Sequence, residues 1–544
     1  MNSLAAIGRP YVPGWSDLAP FSAECWLVVT LAAVLIAPFF ARRRNLATFL
    51  VSLAGLTVAL VSLLWVGVPS STAAAELPLR GVLIADPFAV LWKAMLILFV
   101  IGILFLWRSA ASFDMPEGDG PEFFTLLIGA TLGMCLMAET TNLLLIVMSV
   151  ELASLPSYVL SGFRKTRRFG AEASLKYVLF GAACSAIMIY GVSFLYGLYG
   201  TLDVAVIARQ LAGGGTSASP AMLTIALFGL VVGIGFKVSA VPFHFWCPDV
   251  FEGASVEVSA FLSVASKGAG LALLIRLVMT LADAMGYAHA QPLTALAWTI
   301  GLIGAVSATA GNTAALVQDN VKRLLAWSSI AHAGYMLCAV SLLFNLNARQ
   351  TDPASGISAP AQALLLYLAV YLFMNLGAFT VAAMVERATG GGEDLAAFNG
   401  LVKRNPVLAH SMFACMISLI GLPPFAGFIA KLNVILVLMN NGGWWWFLIG
   451  VIAVNSIVSA FYYFRVLRAI YLEPSTQPAF LGHPLGMALS ATTALALVLM
   501  LILASPVNTL TRHYSRLQYV TGGGGGAKLH PTTPQTVTAS TQAP

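Results

Sequence analysis

Three lysines within apolar runs could do chemistry. Lys237 and Lys267 lie near the middles of two runs within residues 223–277, and Lys431 lies in a later one, seven residues after Pro424. On insertion scales a lysine at mid-membrane depth costs roughly 2.5–3.5 kcal/mol. Lysine also gives up its proton readily on burial, whereas arginine stays protonated. Lysines so placed suit proton transfer. Pro242 follows Lys237 by five residues, and Pro423 and Pro424 precede Lys431. A proline inside an apolar helix frees a backbone carbonyl, here that of Val238, which needs a new partner. Broken helices beside buried ionisable groups are how membrane proteins build ion paths.

Of 22 acidic residues, Glu151 is the one expected at the middle of a span, roughly 14 Å along a helix from Asn142. It reads as the counter-ion of Lys237, the alternative being a carboxylate that only ties helices together. A carboxylate nearby favours the charged lysine, and burial opposes it. His332, in SSIAHAGYM, has the titration range for proton exchange, or is a buried hydrogen-bond donor. His244, in VPFHFW, reads as a group through which protons enter, or as a helix cap. Asp249 and Glu257 near it read as a solvated loop, the alternative being groups that assist entry. Lys93 and Arg276 read as side chains snorkelling from span ends. The stretch FRKTRRFGAEASLK reads as a positive-inside anchor, or secondarily as a lipid or partner contact.

These residues need helices to carry them. The 544-residue chain is 59% hydrophobic and 9% charged, far below the roughly 25% charge of soluble domains. The mean hydropathy is +0.87. Apolar runs about 20 residues long imply an all-α polytopic membrane protein rather than a β-barrel. We expect fourteen spans, with broken ones over about 221–245 and 407–438. The net charge of +6 is assigned to loop topology and not to nucleic acid binding. Sixteen Lys and Arg side chains fall in one set of loops and seven in the other, which places both termini outside the cytoplasm. Six scattered cysteines, with no CxxC or Cys/His metal spacing, argue against an iron–sulfur cluster or zinc. The glycine run 522–526 follows no strand, so no nucleotide loop is expected.

The expected organisation is three N-terminal helices over 1–120, a five-helix unit over 121–280, a second over 293–471, a last helix over 472–510 and a disordered polar tail over 511–544. In each unit the fourth helix is the broken one. Five is odd, so the units are inverted repeats.

Several motifs carry a resemblance. MSVELASLPSYVLSGF, EASLKYVLFGA, FKVSAVPFHFWCPDVFEGA, FLSVASKGAG, NVKRLLAWSSIAHAGYM and LIGLPPFAGFIAKL are similar to the antiporter-like membrane subunits of bacterial proton-pumping NADH:quinone oxidoreductase, complex I. The likeness spans about residues 121–471 and is greater to subunit N than to its sisters L and M. It departs at Ser255-Val256-Glu257, where subunit N often has a Thr-Pro pair, and in the long tail. The resemblance implies proton transfer through Glu151, Lys237, Lys267 and Lys431. It also implies flavin, iron–sulfur clusters and quinone reduction in partner subunits, no cofactor in this chain, and other membrane subunits as partners in the inner membrane. Rival readings are a multi-subunit cation/proton antiporter and a structural spacer without a proton path.

Overall fold

The computed structural model describes residues 14–66, 82–110, 116, 118–164, 168–213, 220–285, 291–344, 358–475 and 477–515. The N-terminal residues before 14 and the glycine-rich tail lie outside them. Among the described residues the chain is helical, with isolated β-bridges only.

Ahead of the two units come α1 (Ser22–Ile36), α2 (Arg44–Val66) and α3 (Pro87–Ala110). The first unit is α4 (Gly120–Met137), α5 (Leu143–Ser161), α6 (Arg168–Tyr199), the broken α7 and α8. The halves of α7 are α7a (Pro220–Val238) and α7b (Trp246–Gly253). The pieces of α8 are Val256–Phe261, a π turn over Leu262–Ser266, and Lys267–Met285. The second unit is α9 (Gln291–Ala315), α10 (Val321–Ser341), α11 (Ser358–Ala388), α12a (Pro406–Ile420), α12b (Ala426–Met439) and α13 (Trp445–Tyr471). The last span is α14 (Pro484–Ile502). Among the described residues thirteen helices are long and apolar enough to cross a membrane, and the shorter α12a and α12b in series supply the fourteenth span.

The repeat is visible in local chemistry. Asn142 caps α5, its Oδ1 accepting from the Leu144 N–H at 3.0 Å, and bridges Asp203 just beyond α6. Asn320 caps α10, accepting from the Arg323 N–H at 3.0 Å, and bridges Asp394 beyond α11. Each asparagine satisfies orphan donors at the start of its unit's second helix. Each also ties that helix to the chain leaving the third.

The two breaks are built alike. Ser239 has φ 60° and Gly421 has φ 85°, the left-handed residue that ends a helix. The Ser239 and Ala240 N–H groups donate to the Phe236 and Gly235 carbonyls at 3.0 and 2.8 Å. The Gly421 and Leu422 N–H groups donate to the Ser418 and Ile417 carbonyls at 3.0 and 3.2 Å. Both half-helices thus close in a Schellman motif three residues before a proline, Pro242 or Pro424. The helix has already ended when the proline arrives. Val241–Pro242 and Pro423–Pro424 are cis.

Candidate functional site

Lys237 sits in the last turn of α7a, 1% exposed, and its Nζ has no hydrogen-bond partner among the described residues. The field that reaches it comes from Glu151 on α5, whose Oε1 is also buried without a partner. Carboxylate and ammonium therefore act on each other without an ion pair. α7a can lie this close to α8 because Gly270 has no side chain. A Cβ there would come 2.8 Å from the Val238 side chain and 3.2 Å from Lys237 Cβ.

Lys267 opens the regular part of α8, directly after the π turn. One residue of excess winding is common at functional sites because it re-aims the side chains that follow. Lys267 is fully buried; its Nζ donates to Ser329 Oγ and to Cys247 Sγ, the latter at 3.4 Å, and lies 5.5 Å from the Phe251 ring centre. Ser329 is nine residues after Asn320, as Glu151 is nine after Asn142. The second unit thus gives Lys267 a serine from the helix position where the first unit presents a glutamate to Lys237.

From Ser329 the polar groups continue along α10. Ser328 shares a 2.5 Å hydrogen bond with the Tyr463 hydroxyl, which lies 3.4 Å from His332 Nε2. His332 Nδ1 is 2.7 Å from the Tyr367 hydroxyl. Tyr462 lies beside Tyr463, ring centres 4.3 Å apart and planes tilted by 49°, and donates to Asn312 Oδ1 at 2.9 Å. Asn312 Nδ2 donates to the Tyr335 hydroxyl at 2.8 Å. Lys431 Nζ stands 4.9 Å over the Tyr335 ring and donates to the Ile420 carbonyl at 2.8 Å and to Ser456 Oγ at 3.4 Å. Ile420 ends α12a, so the break supplies an orphan carbonyl and the negative end of a helix dipole to an otherwise uncompensated cation. Lys431 is 6% exposed and turned into the protein.

His244 lies in the turn between α7a and α7b, 6% exposed, its ring between those of Phe245 and Trp327. Outside α7b is a surface pocket lined in part by Lys176, Asp249, Glu252 and Arg323. Asp249 is paired with Lys176 at 2.7 Å and Arg323 at 2.8 Å.

A family model for NADH:quinone oxidoreductase/Mrp antiporter transmembrane proteins matches residues 140–456. The chain belongs to this family. NADH-quinone oxidoreductase subunit N 2 of Sorangium cellulosum is 41% identical over 418 residues, 75% of this chain and 79% of that protein. Subunit N 2 of Symbiobacterium thermophilum is 35% identical over 518 residues, 91% of this chain and 97% of that one. In the solved respiratory complex I of Thermus thermophilus one chain superimposes with TM-score 0.70 at 29% identity, over 90% of this chain and 99% of that one. The Mrp complex of Dietzia shares the fold, with TM-score 0.74 at 18% identity over 91% of this chain and 97% of that chain. The matched family region contains Glu151, Lys237, Lys267, His332 and Lys431, and stops within α13.

Three expectations are overturned. Lys93 does not snorkel: it is fully buried, with Glu139 at 2.5 Å and Glu24 at 3.1 Å. Arg276 does not snorkel either: it is 2% exposed and holds both Asp86 oxygens, at 2.6 and 2.8 Å. Glu257 is no solvated loop residue: the first turn of α8 packs against α3 and α11 and buries it completely, 3.9 Å from Arg164. For Lys93 and Arg276, partners distant in sequence remove the need to reach water. The Glu257 carboxylate is buried with no hydrogen-bond partner among the described residues, and no local spacing announces any of the three. Cys247, Ser329, Tyr463 and Asn312 also escaped the sequence reading. For Ser329 the matching offset from two capping asparagines was a usable signal.

Proposed function

We propose that this chain is a redox-inactive, proton-translocating membrane subunit of a bacterial NADH:quinone oxidoreductase. Its partners are the other membrane subunits, antiporter-like and small, of that assembly. Flavin, iron–sulfur clusters and quinone reduction belong to those partners' side of the enzyme. The chain spans the inner membrane many times, with both termini outside the cytoplasm. The observation that carries the reading is the row of three buried lysines, Lys237, Lys267 and Lys431, none of them held by a carboxylate within an ion pair among the described residues. A lysine locked in a buried ion pair cannot exchange its proton; one held by a hydroxyl, thiol or carbonyl can.

In the proposed cycle Glu151 favours Lys237 as a cation. When that field weakens, Lys237 releases its proton toward Lys267. Ser329 accepts a hydrogen bond from Lys267 and stands next to Ser328, Tyr463 and His332. His332 has two ring nitrogens facing hydroxyls, so it takes a proton on one and yields one from the other. Asn312 and Tyr335 carry the row on to Lys431. His244, with the pocket outside α7b, serves the way in. The break ahead of Pro423–Pro424 leaves the Ile420 carbonyl for the Lys431 cation to use.

Lys237→Ala in the assembled complex is the test. Proton uptake by membrane vesicles should collapse and quinone reduction should slow with it; undiminished pumping at full quinone reductase activity would sink the role. Under the antiporter reading a sodium gradient would drive proton movement without NADH. The subunit N relatives favour the first reading.

A further inference from the structure

A group of charges outside the lysine row is left unused by that function. Where α1, α3 and α5 begin, Lys93 Nζ lies 2.5 Å from Glu139 Oε1 and 3.1 and 3.3 Å from the two Glu24 oxygens. Lys93 and Glu139 are fully buried and Glu24 is 7% exposed. Glu139 Oε2 has no hydrogen-bond partner among the described residues. The charged and titratable groups around them are Cys135 from α4, Arg276 from α8 and Asp86 ahead of α3. Phe21 contributes only its ring, 6.0 Å from Lys93 Nζ.

Charge does not balance here. Arg276 is matched by Asp86 in a two-pronged pair. Among the described residues, that leaves one ammonium, Lys93, for two carboxylates, Glu24 and Glu139. An uncompensated carboxylate in a dry interior is far costlier than its protonated form. A metal ion is the wrong ligand, because the lysine ammonium already occupies the point on which the carboxylates converge. A proton needs only one free carboxylate oxygen, and Glu139 Oε2 is one.

We propose that Glu24, Lys93 and Glu139 form a second proton-binding site, whose ligand is one exchangeable proton shared by the two carboxylates. The site is joined to the lysine row mechanically. Trp92, next to Lys93, lies against Gly268, next to Lys267, so closely that a Cβ on Gly268 would meet its ring at 2.3 Å. Arg276 of the same α8 donates to the Ala138 carbonyl, one residue before Glu139, at 2.8 Å. Two of the three site residues come from the helices ahead of the first five-helix unit, which gives those helices a chemical task. The site stands on charge count and burial and does not depend on whether the lysine row pumps.

The test is infrared difference spectroscopy of the membrane-reconstituted complex between neutral and alkaline pH, reading the C=O band of protonated carboxyls. Wild type should show a band that shifts in D₂O. Glu139→Gln should lose it, and Glu24→Gln should lose it too, because one carboxylate then matches one ammonium and both stay ionised. Lys93→Met should enlarge it, since two carboxylates are left without a cation. If Glu139→Gln does not assemble, the edge variant Glu24→Gln and the wild-type isotope shift carry the test. A band that persists unchanged in Glu24→Gln, or a wild-type spectrum without one, overturns the proposal.

Discussion

At the scale of residues, two of the three lysines are defined by what each has in place of a carboxylate, while Lys237 has, among the described residues, only the field of Glu151. Lys267 has a hydroxyl and a thiol, and Lys431 has a carbonyl and a hydroxyl. Removing the Ser329 hydroxyl strips Lys267 of its nearer acceptor. A hydrogen bond to a charged group contributes about 1.5–3 kcal/mol. Ser329→Ala is therefore expected to leave the chain assembled but slow proton uptake by roughly tenfold or more, the rate equivalent of such a loss. Vesicle proton uptake at matched NADH oxidation checks this, and an unchanged rate would remove Ser329 from the path. The lysines themselves were legible in the sequence because burying them is costly and needs a reason. Their acceptors were not, since serine, cysteine and tyrosine are ordinary residues in a membrane helix until a partner faces them.

At the scale of elements, the breaks and the π turn aim the side chains. Ser239 and Gly421 stop α7a and α12a, and the second stop hands the Ile420 carbonyl to Lys431. Sequence reading found both interruptions from their prolines. It attributes the freed Val238 carbonyl to Pro242, whereas the left-handed Ser239, three positions before the proline, ends the helix. The π turn over Leu262–Ser266 left no sequence mark. Deleting Val264 should restore a regular helix and rotate Lys267 by about 100° relative to the turns before it. We expect such a chain to reach the membrane and to lose proton uptake. A deletion variant that pumps normally would show that the turn does not aim Lys267. Substitutions of Val264 that keep the residue count should be far milder.

At the scale of the whole molecule, buried charge pairs hold the three leading helices to the first unit and surface pairs join the two units. Arg276 on α8 grips Asp86 at the start of α3 in the interior. Losing one member of a buried pair costs about 3–5 kcal/mol because the other charge is stranded. Arg276→Met should lower the thermal stability of the detergent-solubilised chain markedly, and Arg276→Met with Asp86→Leu should recover most of the loss. If single and double variants melt alike, the pair is not what holds α3 to α8. Arg323, which reaches Asp249 and Glu252 near solvent, should matter by at most about 1 kcal/mol per pair. Sequence alone determined that the chain is a helical membrane protein with two broken spans and three anomalous lysines. Those facts follow from transfer free energy and backbone hydrogen bonding, which act on each segment separately. Tertiary structure decided whether a charge is lone or paired: Lys93, Arg276 and Glu257 look like rim residues along the chain and are interior ones in space. Pairing depends on helices more than forty residues apart meeting, and only the fold brings them together.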